Sequence, residues 1–153
     1  HKEYRRQRQM CIRDRICGGL QFSEQQVWEA LERAAIADEV KAMPMQLETL
    51  LSDSGGNVSG GQVQRIAIAR ALITQPKVLI MDEATSALDN KSQHLITQTI
   101  QSLGITRISI AHRLSTIRQA DRIIVIEPGT PTEQGSWEEL TKRGYLARML
   151  ESA

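Results

Sequence analysis

The sequence contains few aromatic side chains and no long apolar run. Phe, Trp and Tyr make up 3% of the 153 residues, so a core must be built mainly from aliphatic side chains. No apolar run approaches the roughly 18 residues that a membrane-spanning helix needs. The apolar fraction of 41% and the charged fraction of 24% are ordinary for a globular protein. Length and composition therefore predict one globular domain with a real core.

Cysteine is also scarce, and its spacing does not indicate a metal or redox motif. Cys11 and Cys17 are separated by five residues, which matches neither the usual zinc spacing nor C-x-x-C. We expect both to be ordinary reduced thiols.

The net charge of +1 combines a basic leader with a mildly acidic remainder. Residues 1–15 carry six basic and two acidic side chains, whereas residues 16–153 carry 13 basic and 16 acidic ones. The basic leader therefore gives no reason to expect nucleic-acid binding by the rest. It has neither the apolar stretch of a secretory signal nor a helical or strand period. It resembles translated adapter sequence, so we expect residues 1–15 to be a disordered or non-native leader.

Helix and strand patterns alternate after residue 22. Capping boxes at Ser23 and Ser136 each predict the start of a helix. Four consecutive apolar residues at 78–81 predict a strand covered on both faces. The alternation predicts an α/β fold with a mostly parallel sheet and flanking helices. The predicted helices cover about 24–35, 36–41, 60–73, 91–103, 115–119, 137–143 and 145–151, and the predicted strands cover 78–81, 105–111 and 122–126.

Residues 59–62, Ser59-Gly60-Gly61-Gln62, begin the long helix predicted at 60–73. Two glycines allow a phosphate to approach the backbone without meeting a Cβ atom. The N–H groups and the positive dipole end of a helix N-terminus attract anions, and the serine adds a hydroxyl donor. On their own, these four residues fit a phosphate site and an ordinary helix-capping loop equally well.

Two acidic residues end the apolar strand. Asp82 and Glu83 lie at the carboxyl end of that strand, where ligands bind in open α/β sheets. A hard carboxylate oxygen suits Mg²⁺, and a second carboxylate can orient and deprotonate a water molecule. The alternative interpretation is two solvated acids at a strand end.

Two polar segments follow further along the chain. Ser86-Ala87-Leu88-Asp89 precedes a predicted helix and fits an N-terminal cap. His112 comes directly after the strand predicted at 105–111. A lone histidine in such a position is usually structural, so neither segment identifies a site by itself.

In this order and spacing, the segments resemble the nucleotide-binding domain of ABC transporters. Residues 59–62 match the signature motif, with Val58 in place of the usual leucine. Residues 78–83 resemble the Walker B strand with its catalytic glutamate, residues 86–89 resemble the D-loop, and residues 111–115 resemble the segment of the switch histidine. The resemblance covers about residues 16–153.

The resemblance implies that ATP and Mg²⁺ are bound between two such domains. It assigns the metal to Asp82, the attacking water to Glu83 and contact with the γ-phosphate to His112. The D-loop would cross the interface between the domains, and the signature segment would bind the nucleotide that the second domain holds. The interface residues so implied are Ser59, Gly60, Gly61 and Gln62 of the signature segment and Ser86, Ala87, Leu88 and Asp89 of the D-loop.

The 153 residues contain no G-x-x-x-x-G-K-[ST] phosphate loop, and Gly18-Gly19 is not followed by lysine. We therefore expect residues 16–153 to be a truncated, partial domain of the P-loop NTPase-like class. Residues 16–58 would be a remnant of the ABC helical subdomain, and residues 59–153 the C-terminal part of the catalytic core. We expect the chain alone to be inactive, because that loop supplies much of the positioning and charge neutralisation in phosphoryl transfer.

The resemblance implies an ATPase that powers an exporter. Its expected partners are a second nucleotide-binding domain and a transmembrane domain, at the cytoplasmic face of a bacterial inner membrane, and no nucleic acid is expected. Residues 42–44 and 111–117 resemble the branch that exports peptides or bacteriocins. The alternatives are a non-transport ATPase of the chromosome-maintenance or translation-factor type and a non-enzymatic interaction fragment. The non-transport type predicts flanking heptads or basic patches, and the sequence contains neither.

Overall fold

The structure is a computed structural model that describes residues 9–52, 58–82, 88–110, 114–126, 129, 131–142 and 144–151. The chain divides into two compact units, residues 1–109 and residues 110–153. Among the described residues, no helix is both long enough and apolar enough to cross a membrane.

Helices dominate the first unit. The longest is the helix at 60–73, and the helices at 12–17 and 24–33 both pack against it. Their shared core is aliphatic, as the scarcity of aromatic residues predicts. The helices are α1 (Ile12–Cys17), α2 (Glu24–Arg33), α3 (Ala37–Lys41), α4 (Gly60–Ile73) and α5 (Asn90–Ser102), with a short 3₁₀ helix at Gln46–Glu48.

Two small sheets accompany these helices. Strand β1 (Gln9–Cys11) pairs antiparallel with β2 (Leu50–Ser52), so that Met10 lies opposite Leu51. Strand β3 (Val78–Asp82) pairs with β4 (Thr106–Ile110), and α5 lies between them in the chain. This strand–helix–strand unit carries the predicted Asp82 at the end of its first strand.

The second unit is built around a small hairpin. Strand β5 (Ile123–Val125) pairs antiparallel with β6 (Glu133–Gly135). The helices of this unit are α6 (Leu114–Ile117), α7 (Trp137–Leu140) and α8 (Tyr145–Glu151). Its buried core consists of Ile123, Leu140 and Leu146.

Local sequence determines where several helices begin. The side chains of Ser23, Ser59 and Ser136 each accept a hydrogen bond from the backbone N–H three residues later, and each is the N-cap residue of a complete capping box. The boxes satisfy N–H and side-chain groups that a helix start otherwise leaves unpaired. Both predicted capping boxes are therefore confirmed, and the predicted bounds of α4 and α8 are the observed ones.

The α/β class is confirmed, but the strands that the structure describes form three two-stranded sheets, whereas the alternation predicted one mostly parallel sheet. Two of the three pairs are antiparallel. The connection between β5 and β6 is short, which permits an antiparallel hairpin but not a parallel crossover. Among the described strand pairs, β3 and β4 are joined through the single helix α5, whereas β1 and β2 are joined through α1, α2, α3 and the 3₁₀ helix.

The prediction that the strand at 78–81 is covered on both faces is wrong for this structure. Leu79 is buried, but Val78 and Ile80 are 50% and 68% exposed. On the facing strand, Ile108 is 52% exposed. A continuous apolar run allows both faces of a strand to be buried. In the described part of this chain, only the face that carries Leu79 is covered.

The expectation that residues 1–15 lack regular structure is wrong for residues 9–15. They form β1 and most of α1, and Cys11 and Ile12 are buried. The helix ends at Gly18, whose φ of 58° is the left-handed conformation that favours glycine at a helix C-cap. The spacing of the apolar residues in this segment also fits a helix, because Ile12 and Ile16 lie on one face of α1 and both are buried.

Replacing Ile12 tests whether this segment belongs to the core. Ile12 is 0% exposed and Leu20 is 60% exposed. We expect Ile12→Ala to lower the free energy of unfolding by about 2–5 kcal/mol, since it deletes buried methyl groups and leaves a cavity. Leu20→Ala is the matched control and should change it by less than about 0.5 kcal/mol. Chemical denaturation measures both, and equal values for the two variants would show that residues 9–17 do not form part of the core.

Candidate functional site

The candidate site begins at the N-terminus of α4, where Ser59 caps the helix. Its Oγ accepts a hydrogen bond from the Gln62 N–H at 3.2 Å, and its own N–H donates to Gln62 Oε1 at 2.7 Å. Because Oγ acts as an acceptor in this bond, its hydroxyl hydrogen remains available to donate to a ligand. The cap therefore uses the N–H groups of Ser59 and Gln62 and leaves the Ser59 hydroxyl hydrogen for a ligand.

The glycines of this turn allow close approach from outside. Gly60 is exposed, and a Cβ atom built on it would meet no described atom within 4 Å. Packing within the described residues therefore does not require glycine at this position. A ligand that approaches the backbone closely does provide a reason for it.

The first turn of α4 leaves the positive end of its own helix dipole without an acidic side chain. The first turn of α4 contains no acidic residue, whereas α2 begins with Glu24 and α7 contains Glu138 and Glu139 in its first turn. An acidic side chain in the first turn would offset the positive end of the helix dipole. In α4 no residue of the first turn offsets the dipole in this way.

A carboxylate on α3 ties the signature segment to a neighbouring helix. Glu39 accepts a hydrogen bond from Gln62 Nε2 at 2.8 Å and forms a two-point ion pair with Arg65, whose Nη2 lies 3.0 Å from Glu39 Oε2. Arg65 also donates to the backbone oxygen of Ala35 at 2.8 Å. Arg65 is buried, so these acceptors satisfy a cation that would otherwise be costly to bury.

The environment of Glu39 lowers its pKa. Burial acts in the opposite direction and raises the pKa, as does the negative charge of Asp89. Hydrogen bonds from Arg65 and Gln62, together with the positive charge of Arg65, outweigh both effects. Glu39 is therefore held as a carboxylate at neutral pH, and Asp89 lies close enough to it to interact.

The carboxyl end of β3 carries the predicted metal ligand. Asp82 is exposed there, so its oxygens are accessible to a cation. The described residues contain no group of three or more His, Cys, Asp or Glu side chains that could hold a metal ion. Mg²⁺ commonly binds one or two carboxylates together with substrate phosphates, so a single aspartate fits that donor set.

The segment that resembles the D-loop is described only in its second half, Leu88 and Asp89. Leu88 is buried, and Asp89 caps α5 by accepting hydrogen bonds from the Ser92 N–H at 3.0 Å and the Ser92 hydroxyl at 2.7 Å. These bonds lower the pKa of Asp89. The predicted role of this segment as a helix cap is confirmed for Asp89.

Four predicted site residues lie outside the described residues: Glu83, Ser86, Ala87 and His112. The structure does place Ser59, Gly60, Gly61 and Gln62 together at one partly exposed helix end, where Gln62 contacts Glu39. The contact of Glu39 with Arg65 was missed by the sequence analysis. A charged side chain beside the buried Ile66 is the signal that could have prompted a search for its partner.

A family model described as ABC transporter matches residues 1–86, more than half of the chain. The chain belongs to the ABC transporter family. The matched range includes the leader, residues 1–15. Members of this family hydrolyse ATP.

Known relatives of the chain include exporter proteins. It is 48% identical over 139 residues to the heterocyst differentiation ATP-binding protein HepA of Nostoc sp., covering 88% of the chain and 23% of the relative. It is 51% identical over 122 residues to the ATP-dependent lipid A-core flippase of Burkholderia orbicola, covering 78% of the chain and 21% of the relative. The chain thus spans about a quarter or less of the length of these relatives.

A solved structure agrees with the fold. A bacterial Atm1-family ABC exporter with ATP bound superposes with a TM-score of 0.86 at 40% identity, over 93% of this chain and 26% of the exporter chain. The chain is therefore an exporter-type ATP-binding domain or part of one. The names of these relatives do not confirm the peptide or bacteriocin branch.

The lowered pKa of Glu39 predicts a pH-dependent contribution to stability. The contribution is fully present above the pKa of an unfolded glutamate and is lost as the pH falls through the lower folded-state pKa. We expect Glu39→Gln to lower the free energy of unfolding at neutral pH by on the order of 1 kcal/mol, allowing for solvent screening of a partly exposed carboxylate. The difference from wild type should shrink as the pH falls through the lowered folded-state pKa of Glu39.

Denaturation at several pH values measures this difference. Glu32→Gln is the matched control, because Glu32 forms an exposed ion pair with Lys41 at 3.6 Å and exposed pairs contribute little. A Glu39→Gln difference that stays constant from neutral to acid pH would contradict the ion pair.

Proposed function

We propose that this chain supplies one side of a shared ATP site in an exporter, with the N-terminus of α4 facing the γ-phosphate of ATP that a second domain holds. The observation that carries the proposal is the exposed first turn of α4, which has glycine at Gly60 and Gly61 and no acid to offset its dipole. Backbone N–H groups at such a helix end bind phosphate oxygens. The Ser59 hydroxyl adds a further donor.

The second side of the chemistry lies at the end of β3. In the proposed arrangement Asp82 holds Mg²⁺, Glu83 accepts a proton from the attacking water, and His112 donates to the γ-phosphate. When bound, Mg²⁺ neutralises charge on the phosphate oxygens. Ser86, Ala87, Leu88 and Asp89 form the segment that contacts the second domain. Support for these roles comes from the family membership and from the exposed position of Asp82.

The same proposal names the partners and the cargo. Two nucleotide-binding domains pair head to tail, close on ATP and open after hydrolysis, and so drive a transmembrane domain. The assembly lies at the cytoplasmic face of a bacterial inner membrane. The similarity of residues 42–44 and 111–117 to peptide and bacteriocin exporters favours a peptide cargo.

The 153 residues alone should not hydrolyse ATP. They contain no G-x-x-x-x-G-K-[ST] loop, and the glycine pair Gly18-Gly19 ends α1 instead of opening a helix towards a phosphate. The hydrogen-bond donors at the N-terminus of α4 can therefore bind only a nucleotide that another domain already holds.

The first test therefore compares the chain alone with a mixture. We expect no ATP turnover above background from the purified 153 residues at micromolar ATP. Turnover or labelled-ATP binding should rise when a complete ABC domain is added whose own signature serine has been replaced. ATP turnover by the chain alone would refute the need for a second domain, and a mixture no more active than the complete domain would refute the shared site.

The second test separates the cap of α4 from its proposed contact with phosphate. Aspartate is as good an N-cap residue as serine, so Ser59→Asp should leave the free energy of unfolding within about 0.5 kcal/mol of wild type. Its negative charge would repel the γ-phosphate, and we expect the ATP-dependent gain in the mixture to fall at least about tenfold.

Ser136 provides the control, because it caps α7 with the same geometry in the other unit. Ser136→Asp should leave unchanged both the free energy of unfolding and the ATP-dependent gain in turnover or labelled-ATP binding of the mixture. If Ser59→Asp behaves like Ser136→Asp in the nucleotide assay, the α4 N-terminus does not face phosphate.

A further inference from the structure

Glu39 makes an unusual connection, because it joins the signature segment to a different helix. Its carboxylate on α3 contacts Gln62, 23 positions later, and Arg65, 26 positions later. We propose that Glu39 is a positioning residue, which holds the Gln62 side-chain amide in the orientation that caps Ser59 and so sets the geometry of the first turn of α4. This inference rests on the proposed function, since it names a residue outside the signature segment that prepares that segment for phosphate.

The orientation of the Gln62 amide follows from the chemistry of its two neighbours. Its Oε1 accepts from the Ser59 N–H at 2.7 Å, and its Nε2 donates to Glu39 Oε2 at 2.8 Å. A carboxylate only accepts hydrogen bonds, so Glu39 requires the NH₂ group to face it. The amide oxygen is then directed at the Ser59 N–H, as the capping box needs. A flipped amide would place two donors together at Ser59 and two acceptors together at Glu39.

Arg65 keeps the Glu39 carboxylate in place. The planar guanidinium binds both carboxylate oxygens, and two-point pairs of this kind fix orientation as well as distance. Arg65 is itself anchored by the backbone oxygens of Ala35 at 2.8 Å and Gly61 at 3.4 Å. Gln62 and Arg65 are three residues apart and therefore share one face of α4. These contacts therefore fix the position of the Glu39 carboxylate relative to the first turn of α4.

The charges around Glu39 define how the connection responds to pH. Arg65 faces it from α4 and favours the ionised form, and Asp89 at the start of α5 opposes it. The net effect is a lowered pKa. Protonation of Glu39 would remove one acceptor and weaken the bond to Gln62 at a pH below the ordinary range of a glutamate.

Nitrogen-15 NMR of the full wild-type chain tests the hydrogen bond between Gln62 and Glu39, and two variants serve as comparisons. The side-chain NH₂ signals of Gln62 should shift as the pH falls, with a midpoint below the ordinary pKa of glutamate. The shift should disappear in Glu39→Gln and persist in Glu32→Gln. Gln62 signals that do not titrate, or that titrate equally in Glu39→Gln, would overturn the inference. Because the titration of the wild type is itself decisive, the test holds even if Glu39→Gln folds poorly.

An association assay tests the effect on nucleotide. The affinity of the chain for the complete domain with a replaced signature serine is measured with and without ATP, at a temperature where circular dichroism shows every variant to be folded. Glu39→Gln should weaken the ATP-dependent affinity about tenfold, in line with the loss of a hydrogen bond to a charged group. Glu32→Gln should match the wild type.

The two proposals fail in different ways in these assays. If the wild type gains no affinity from ATP, the proposed function fails, and with it the nucleotide role of Glu39, even if Gln62 titrates. If the wild type gains affinity and Glu39→Gln gains as much, the positioning role fails while the proposed function stands.

Discussion

Burial of one side of α4 is the constraint on which the candidate site depends. Ile66, Ala69 and Leu72 are at most 1% exposed, and α1 and α2 pack against the helix that carries them. A fully buried isoleucine or leucine contributes about 1.5–3 kcal/mol. The body of α4 is therefore fixed, while its first turn remains at the surface with Ser59 exposed. A fixed helix with an open N-terminus is what a phosphate-facing segment needs, because the donors require no rearrangement before they bind.

The polar contacts beside that core determine how α4 is set against its neighbours. The pair formed by the buried Arg65 and the partly exposed Glu39 gains little net free energy, because desolvation and solvent screening offset the attraction of the charges. Its contribution is geometric, since two-point binding by Arg65 and the added bond from Gln62 connect α3 to α4 at defined positions. The carboxylate of Glu39 contacts Gln62 of the first turn and is paired with the cation of Arg65. The positive end of the helix dipole remains uncompensated by any acid in that turn.

Local patterns predicted the parts of the fold that depend on nearby residues. The capping boxes at Ser23 and Ser136 and the bounds of α4 follow from side chains three or four positions apart, and the structure has them. The contact between Glu39 and Arg65 spans 26 positions, and no helical or strand period encodes it. The helix at Ile12 was missed for another reason. Cys11, which is not a common N-cap residue, accepts the N-cap bond from the Asp14 N–H at 3.4 Å. The basic composition of the leader also favoured a disordered segment, so the apolar spacing of Ile12 and Ile16 was not interpreted as a helix.

The central claim is that the first turn of α4 binds the γ-phosphate of ATP held by a second domain. A crystal structure of the chain with ATP, Mg²⁺ and a complete ABC domain with a replaced signature serine measures this directly. We expect a γ-phosphate oxygen within about 3 Å of both Ser59 Oγ and a backbone N–H of the first turn. A complex in which ATP is bound while the N-terminus of α4 faces solvent would contradict it.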